Sequence, residues 1–331
     1  MKKNIALLAG GYSGEYVISI QTATTIKANL DTDLYNVYKI IVTKEDWFHE
    51  TQHEKIPIDK NDFSLTLNGK KIKFDCAFIA IHGTPGEDGR MQGYLDMLSI
   101  PYTSCNAIVS ALTFNKSYCN KVVKDFNVVN IANSYHLIKG EPFSVGTLLD
   151  HLKMPLFVKP NESGSSLGVS KVKTVEELLP AIEKSFKEDK QVLVEEFIEG
   201  REVTIGVYRL GQNVFTLPAT EIVSKNEFFD YEAKYTPGVT NEITPAPIPE
   251  NINEELKSKA SLLYRFLNCR GIVRMDFIIE KKSDKLFFLE VNTMPGQSEN
   301  SIVPQQVRAA GMTLKEFYGA LLEDCFKQIL E

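Results

Sequence analysis

The densest chemistry in this chain lies in two short runs, Arg274-Met-Asp276 and Glu290-Val-Asn292. Each run is flanked by apolar β-formers, and the polar stretch Lys281–Lys285 between them reads as the turn of an antiparallel hairpin. A turn centred on Ser283 sets Asp276 opposite Glu290 and Arg274 opposite Asn292. Side chains alternate along a strand, so all four share one face. Carboxylates opposed across a ladder repel each other unless a cation sits between them. With the amide oxygen of Asn292 they form a hard-oxygen donor set suited to Mg²⁺ or Mn²⁺, ions that share their shell with nucleotide phosphates. The competing reading is a solvated polar face balanced by Arg274. Thr293-Met-Pro-Gly296 follows directly and turns the chain beside this face.

A second group of residues suits phosphate. Phe157-Val-Lys159 ends a strand and runs into a small-residue loop through Ser165, Ser166 and Gly168. Small residues let backbone N–H groups approach phosphate oxygens, and the lysine supplies positive charge. The lysine precedes the glycines and the loop returns into a strand, so this is not a P-loop; a plain hairpin turn is the alternative. Lys116, in a predicted helix over Asn115–Phe126, is a weaker candidate. Glu195, Glu196, Phe197 and Ile198 close a strand and Glu202 opens the next. That hinge suits an adenine and a ribose, although exposed strand-end glutamates would look the same.

Two loops suit a small substrate. Gly10-Gly11-Tyr-Ser-Gly14-Glu15 joins the first strand to the first helix without the glycine spacing of a dinucleotide site, which argues against a dehydrogenase. His82–Gly93 is a second glycine-dense loop at the carboxyl end of a strand, where open α/β sheets bind ligands.

The elements that must position these residues alternate at first. Ile5–Ala9, Val37–Val42, Cys76–Ile81 and Ile100–Thr103 read as strands, and Val17–Asn29 and Arg90–Leu98 as helices. This pattern predicts an open parallel α/β domain over 1–115. Leu156–Val158, Leu167–Val172 and Val192–Phe197 are predicted strands of a small α+β unit over 116–200. Thr174 and Glu177 have capping-box spacing and open a helix over Val175–Lys187. The third unit, 201–331, holds strands Glu202–Tyr208, Val214–Val223, Ile272–Ile279 and Leu286–Val291, with helices Asn253–Asn268 and Leu314–Leu330. Residues 224–251 lack periodicity, and irregular stretches of that length are usually lids or binding loops. Its aromatics, among them Phe228, Phe229, Tyr231 and Tyr235, argue against the alternative of a disordered linker.

Composition narrows the function. A formal net charge of −6 gives no basis for a nucleic-acid partner. The five cysteines are scattered, with no metal or redox spacing, and this favours a reducing, cytoplasmic setting. No apolar run approaches the ~20 residues of a membrane helix, so no membrane role is expected.

Together, His82–Gly93, Lys159–Gly168, Asp230–Tyr235 and Arg274–Asp276 with Glu290–Gly296 resemble the D-alanine–D-alanine ligases of the ATP-grasp superfamily. The resemblance runs from Asn4 nearly to the end of the chain. It implies an ATP-grasp fold behind an α/β domain, a homodimer, and ATP-dependent joining of two D-alanines through D-alanyl phosphate for peptidoglycan precursors. By that similarity, Lys116, Lys159 and Lys234 contact phosphate, and Ser165 and Ser166 lie in the loop over it. Glu195, Glu196, Phe197 and Ile198 form the adenine hinge, and Glu202 meets the ribose. Asp276, Glu290 and Asn292 hold two magnesium or manganese ions. Glu15 and His82 orient the first D-alanine, and Ser165 and Tyr235 link loop and lid to Glu15. Arg274 and the Gly296 backbone stabilise the oxyanion, while Ser301 and Ile302 contact the second D-alanine. Tyr235, absent from depsipeptide-forming relatives, favours an amine nucleophile over D-lactate. Met275, where many relatives carry a β-branched residue, is a mild departure. The rivals are a relative using D-serine or D-lactate as acceptor and a catalytically silent nucleotide-binding regulator.

Overall fold

The structure, a computed structural model, describes residues 2–51, 54–162, 164, 167–224 and 240–327. Its first sheet is built on β1 (Lys3–Gly10), whose run Ile5–Ala9 is apolar at every position and is buried on both faces. Ile5, Leu7 and Ala9 pack on one side with α1 (Tyr16–Asn29), while Ala6 and Leu8 pack on the other. Such unbroken apolar runs mark strands covered by elements on both sides. β1 pairs in parallel with β2 (Tyr35–Val42) and β7 (Cys76–Ile79).

Four antiparallel strands extend this sheet beyond the parallel core anticipated from the sequence: β3 (Trp47–Glu50), β4 (Lys55–Asp59), β5 (Ser64–Leu67) and β6 (Lys70–Ile72). They are only three to five residues long, too short for their alternation to stand out in the sequence. The predicted strand Ile100–Thr103 reduces to a single bridge between Ala77 and Tyr102. The helices α2 (Arg90–Met97) and α3 (Ala107–Phe114) close this unit.

Next come α4 (Lys116–Asp125), β8 (Asn130–Ile131), β9 (Ser134–Ile138), α5 (Val145–His151), β10 (Leu156–Pro160), β11 (Ser170–Val172), α6 (Val175–Glu188) and β12 (Gln191–Glu196). β11, β10, β12 and β9 form one antiparallel sheet, and α5 and α6 cover one of its faces. The capping box of Thr174 and Glu177 is present at the start of α6.

The third sheet runs β16-β15-β13-β17-β18-β8, with β14 also on β13. Its further members are β13 (Gly200–Leu210), β14 (Asn213–Thr216), β15 (Thr220–Ser224), β16 (Thr240–Ile243), β17 (Ile272–Glu280) and β18 (Leu286–Asn292). The predicted single strand Val214–Val223 is therefore two, each paired with a different stretch of β13. The stretch 224–251 is not irregular throughout either. β16 pairs antiparallel with β15, and α7 (Glu250–Phe266) begins before the expected Asn253. Ladder bonds and burial against neighbours order short polar strands that show no period of their own. α8 (Ile302–Ala309) and α9 (Leu314–Lys327) return to pack on the first sheet.

Candidate active site

The hairpin β17–β18 pairs Arg274 with Asn292 and Asp276 with Glu290, the pairing anticipated from a turn at Ser283. It reaches that pairing by an unforeseen route. Nearer the turn, Phe277 lies opposite Phe288 and Ile279 opposite Leu286, a register shifted by one residue. Leu289 is the extra residue that absorbs the shift between Asp276 and Phe277. Had the turn-proximal register continued unshifted, Asp276 would lie opposite Leu289, and Glu290 would point to the other face. A bulge re-aims side chains in this way, and no feature of the local sequence announces it.

The charges on this face are already organised. Arg274 forks onto Asp276, with Nε to Oδ1 at 2.8 Å and NH2 to Oδ2 at 2.7 Å. Thr204 on β13 donates its hydroxyl to the same Oδ1. Asp276 is buried, and the carboxylates of Asp276, Glu290 and Glu202 raise the Arg274 pKa against the opposing effect of its burial. Lys116 Nζ lies 3.3 Å from Glu290 Oε2. Its helix starts where Asn115 caps the Tyr118 N–H, and Asn161 accepts from the Lys116 and Ser117 N–H groups. A lysine in the first turn opposes the helix dipole. Burial lowers its pKa, but Glu290 more than offsets that and holds it charged. The face is therefore not the solvated polar surface of the competing reading. Asn292 Oδ1 accepts from the Met294 N–H at 2.9 Å.

Among the described residues, no group of three or more His, Cys, Asp and Glu is arranged to hold a metal. The hairpin offers two carboxylates and one amide. Such an incomplete oxygen set fits magnesium or manganese, ions that take the rest of their shell from phosphates and water.

Lys159 and Glu195 form a second buried ion pair at 2.6 Å. Glu195 is thus not an exposed strand-end glutamate; it faces Phe157 across β10. Glu196 accepts from the Lys153 N–H and from Asn133. The Phe197 N–H bonds to the Pro155 carbonyl, and its ring stacks on Phe157 with Lys171 Nζ 3.8 Å from its centroid. Ile198 lies two residues beyond the end of β12. Glu202 lies on β13 opposite Ile278 and, one rung from Thr204 and Asp276, shares the reaction face.

The substrate loops converge on Glu15. A side chain at Gly83 would meet Ser13 Oγ at 2.7 Å, and one at Gly164 would meet the Glu15 carboxylate oxygens at 3.0 and 3.1 Å. The loop after Lys159 therefore passes directly over Glu15. His82 is buried, with Nε2 3.0 Å from Thr22 Oγ1, and burial pulls its pKa below the usual value. A Cβ on Gly296 would approach Ser301 Oγ within 2.9 Å, so a side chain there would have to displace the Ser301 hydroxyl. Ser301 caps α8, and Ile302 is its first residue. Ser165, Ser166, Lys234 and Tyr235 lie outside the described residues.

The sequence reading missed Glu87. It sits in the second glycine-dense loop and accepts the Gly83 N–H at 2.6 Å. Its carboxyl is pushed up to about 8, chiefly by desolvation and then by the Glu15 charge. An acidic residue inside a loop already singled out was the available signal.

The five cysteines are all buried free thiols. Among the described residues, no helix is long and apolar enough to cross a membrane.

Comparison with known proteins identifies the family. Residues 4–105 match the family described as D-ala D-ala ligase N-terminus, and residues 125–323 that described as D-ala D-ala ligase C-terminus. A D-alanine–D-alanine ligase of Parabacteroides distasonis is 48% identical over 99% of this chain and 98% of its own. The Flavobacterium johnsoniae ligase is 44% identical over 97% and 98%. Among solved structures, the VanG D-Ala:D-Ser ligase of Enterococcus faecalis superposes with a TM-score of 0.88 at 29% identity, covering 98% of this chain and 99% of that one. D-alanyl-alanine synthetase A of Vibrio cholerae gives 0.87 at 29% identity, covering 98% of each. The fold is the ATP-grasp fold behind an α/β domain that the sequence led us to expect. The chain belongs to the D-alanine–D-alanine ligase family.

Proposed function

We infer that this enzyme joins two D-alanines to D-alanyl-D-alanine, converting ATP to ADP and phosphate through D-alanyl phosphate. The observation that carries the reading is the hairpin face, where Asp276 and Glu290 oppose each other with Arg274 and Lys116 against them. A carboxylate is inert toward amines until it carries a leaving group, so the first D-alanine must be phosphorylated. Lys116 and Lys159 neutralise charge near the transferring phosphoryl group, as such transfers require. Magnesium or manganese, held as two ions by Asp276, Glu290 and Asn292, would add further charge screening there. Glu195, Glu196, Phe197 and Ile198 are assigned to the adenine and Glu202 to the ribose. Glu15 and His82 orient the first D-alanine; a neutral imidazole suits hydrogen bonding to it. Ser301 and Ile302 meet the second. Arg274 and the Gly296 N–H stabilise the tetrahedral oxyanion, as preorganised donors do.

The same reading assigns Lys234 to phosphate, Ser165 and Ser166 to the loop above it, and Tyr235 to the link between lid and Glu15. It extends to a three-part division at 1–115, 116–200 and 201–331, to a homodimer, and to a cytoplasmic role in supplying peptidoglycan precursors. Phosphate release with ATP and a panel of acceptors tests it. Turnover with D-alanine alone is expected, and turnover with D-serine but not D-alanine as acceptor would reassign the enzyme.

A further inference from the structure

Two consecutive glutamines near the start of α8 make contacts that none of the roles above uses. Gln306 is fully buried. Its Oε1 accepts the Gly206 N–H at 3.0 Å, and its Nε2 donates to the Thr204 carbonyl at 3.0 Å and to Thr220 Oγ1 at 3.1 Å. These backbone groups lie where one flank of β13 changes neighbours. β15 pairs with β13 over Glu202–Thr204, and β14 takes over from Val207. The Gln306 amide bridges that gap as a substitute rung. On the opposite flank of β13, Thr204 and Gly206 are the register partners of Asp276 and Arg274.

Gln305 reaches a different strand. Its Nε2 spends both hydrogens, one on Glu242 Oε2 at 2.6 Å and one on the Asn300 carbonyl at 2.8 Å. Glu242 lies on β16 opposite Ile222, which in turn lies opposite Glu202 on β13. Cross-strand neighbours share a face, so Glu242 stands on the face that carries Asp276 and Arg274. Asn300 immediately precedes Ser301, whose hydroxyl also bonds to Ser298 at 2.6 Å. The start of α8 is thus tied to the reaction face at two points, by a buried amide and by a charge-assisted bond of the stronger kind.

We propose that Gln305 and Gln306 are positioning residues for the acceptor amino acid, holding the Ser301–Ile302 end of α8 against β13, the neighbour of the strand that carries Arg274, and against β16, which carries Glu242. The inference rests on the reading that Ser301 and Ile302 meet the second D-alanine. Gln306→Leu would strip three bonds from the core and could lose the fold, so Gln305 carries the test. Gln305→Leu preserves volume and is expected to raise the KM of the acceptor D-alanine about tenfold. The KM values of ATP and of the donor D-alanine should hold. Gln305→Glu sets two carboxylates face to face and should raise the acceptor KM further. Adding Glu242→Gln reverses donor and acceptor in that bond and should lower it again. An unmoved acceptor KM, an equal rise at both amino-acid sites, or no recovery in the double variant overturns the inference. A wild-type enzyme that forms no dipeptide overturns the ligase reading and this inference together. Dipeptide formation with an unmoved acceptor KM overturns this inference alone.

Discussion

The β17–β18 hairpin and the Glu15 cluster, the two ends of the proposed site, are built in opposite ways. The hairpin brings its four polar residues together within a single local pairing, and most of its geometry follows from strand alternation. The Glu15 cluster draws on the loop after β1, the loop after β7 and the loop after β10, which meet only through tertiary packing. Charge differs as well. On the hairpin, each carboxylate faces a cation, Arg274 against Asp276 and Lys116 against Glu290. Around Glu15, close approach depends on missing side chains at Gly83 and Gly164, and the second carboxylate, Glu87, is held toward its protonated form. A local element can thus be precise through register, whereas a loop cluster is precise through exclusion of bulk. The two should break differently.

The largest effect is expected from Glu290→Gln, which removes the carboxylate that the bulge at Leu289 turns toward Asp276 and Lys116. Turnover should fall at least about thousandfold, as loss of charge stabilisation in phosphoryl transfer does. Far-UV circular dichroism should stay near wild type. A Glu290→Gln variant that retains substantial activity at saturating magnesium would show that this carboxylate is not part of the reaction face.

A smaller effect is expected at the loop end. Gly164→Ala brings a methyl to 3.0 Å from the Glu15 carboxylate, inside ordinary van der Waals contact, so Glu15 must give by a few tenths of an ångström. The KM of the donor D-alanine should rise about tenfold with the ATP KM little changed, the pattern of lost ground-state binding. Equal changes in both constants would indicate that the loop serves the nucleotide instead.

The smallest effect concerns Glu87 in the nucleotide- and metal-free protein. Its folded pKa of about 8 stands above the ordinary glutamate value of 4.5. Between those values the folded state binds a proton that the unfolded chain has released, so stability falls as pH rises through that window. The urea midpoint should therefore be lower at pH 8 than the other groups alone would make it, and Glu87→Gln should flatten that dependence. An unchanged pH profile in the variant would remove Glu87 from the cluster's charge balance.

Legibility in the sequence followed the same division. The hairpin face could be read because apolar flanks and a polar turn define strands, and a period of two assigns the face. The antiparallel extension β3–β6 and the strand β16 could not be read so, because strands of three to five residues show too few alternations to stand out and are ordered by their neighbours' ladders. Glu195 illustrates the limit of motif reading. Its place at a strand end was visible, but its burial against Lys159 depends on β10 lying beside β12.

The sequence by itself determined which residue types were available for phosphate, metal and amino-acid chemistry, and that Arg274 and Asp276 share one face of their strand. Those properties depend on residue identity and local periodicity, which the chain carries wherever it folds. Only the tertiary structure decided that Leu289 bulges, that Lys116 reaches Glu290, that Gly164 lies over Glu15 and that Gln306 completes the flank of β13. Each of these is a contact between segments distant in sequence or a one-residue slip in pairing, and both are settled by packing the whole molecule.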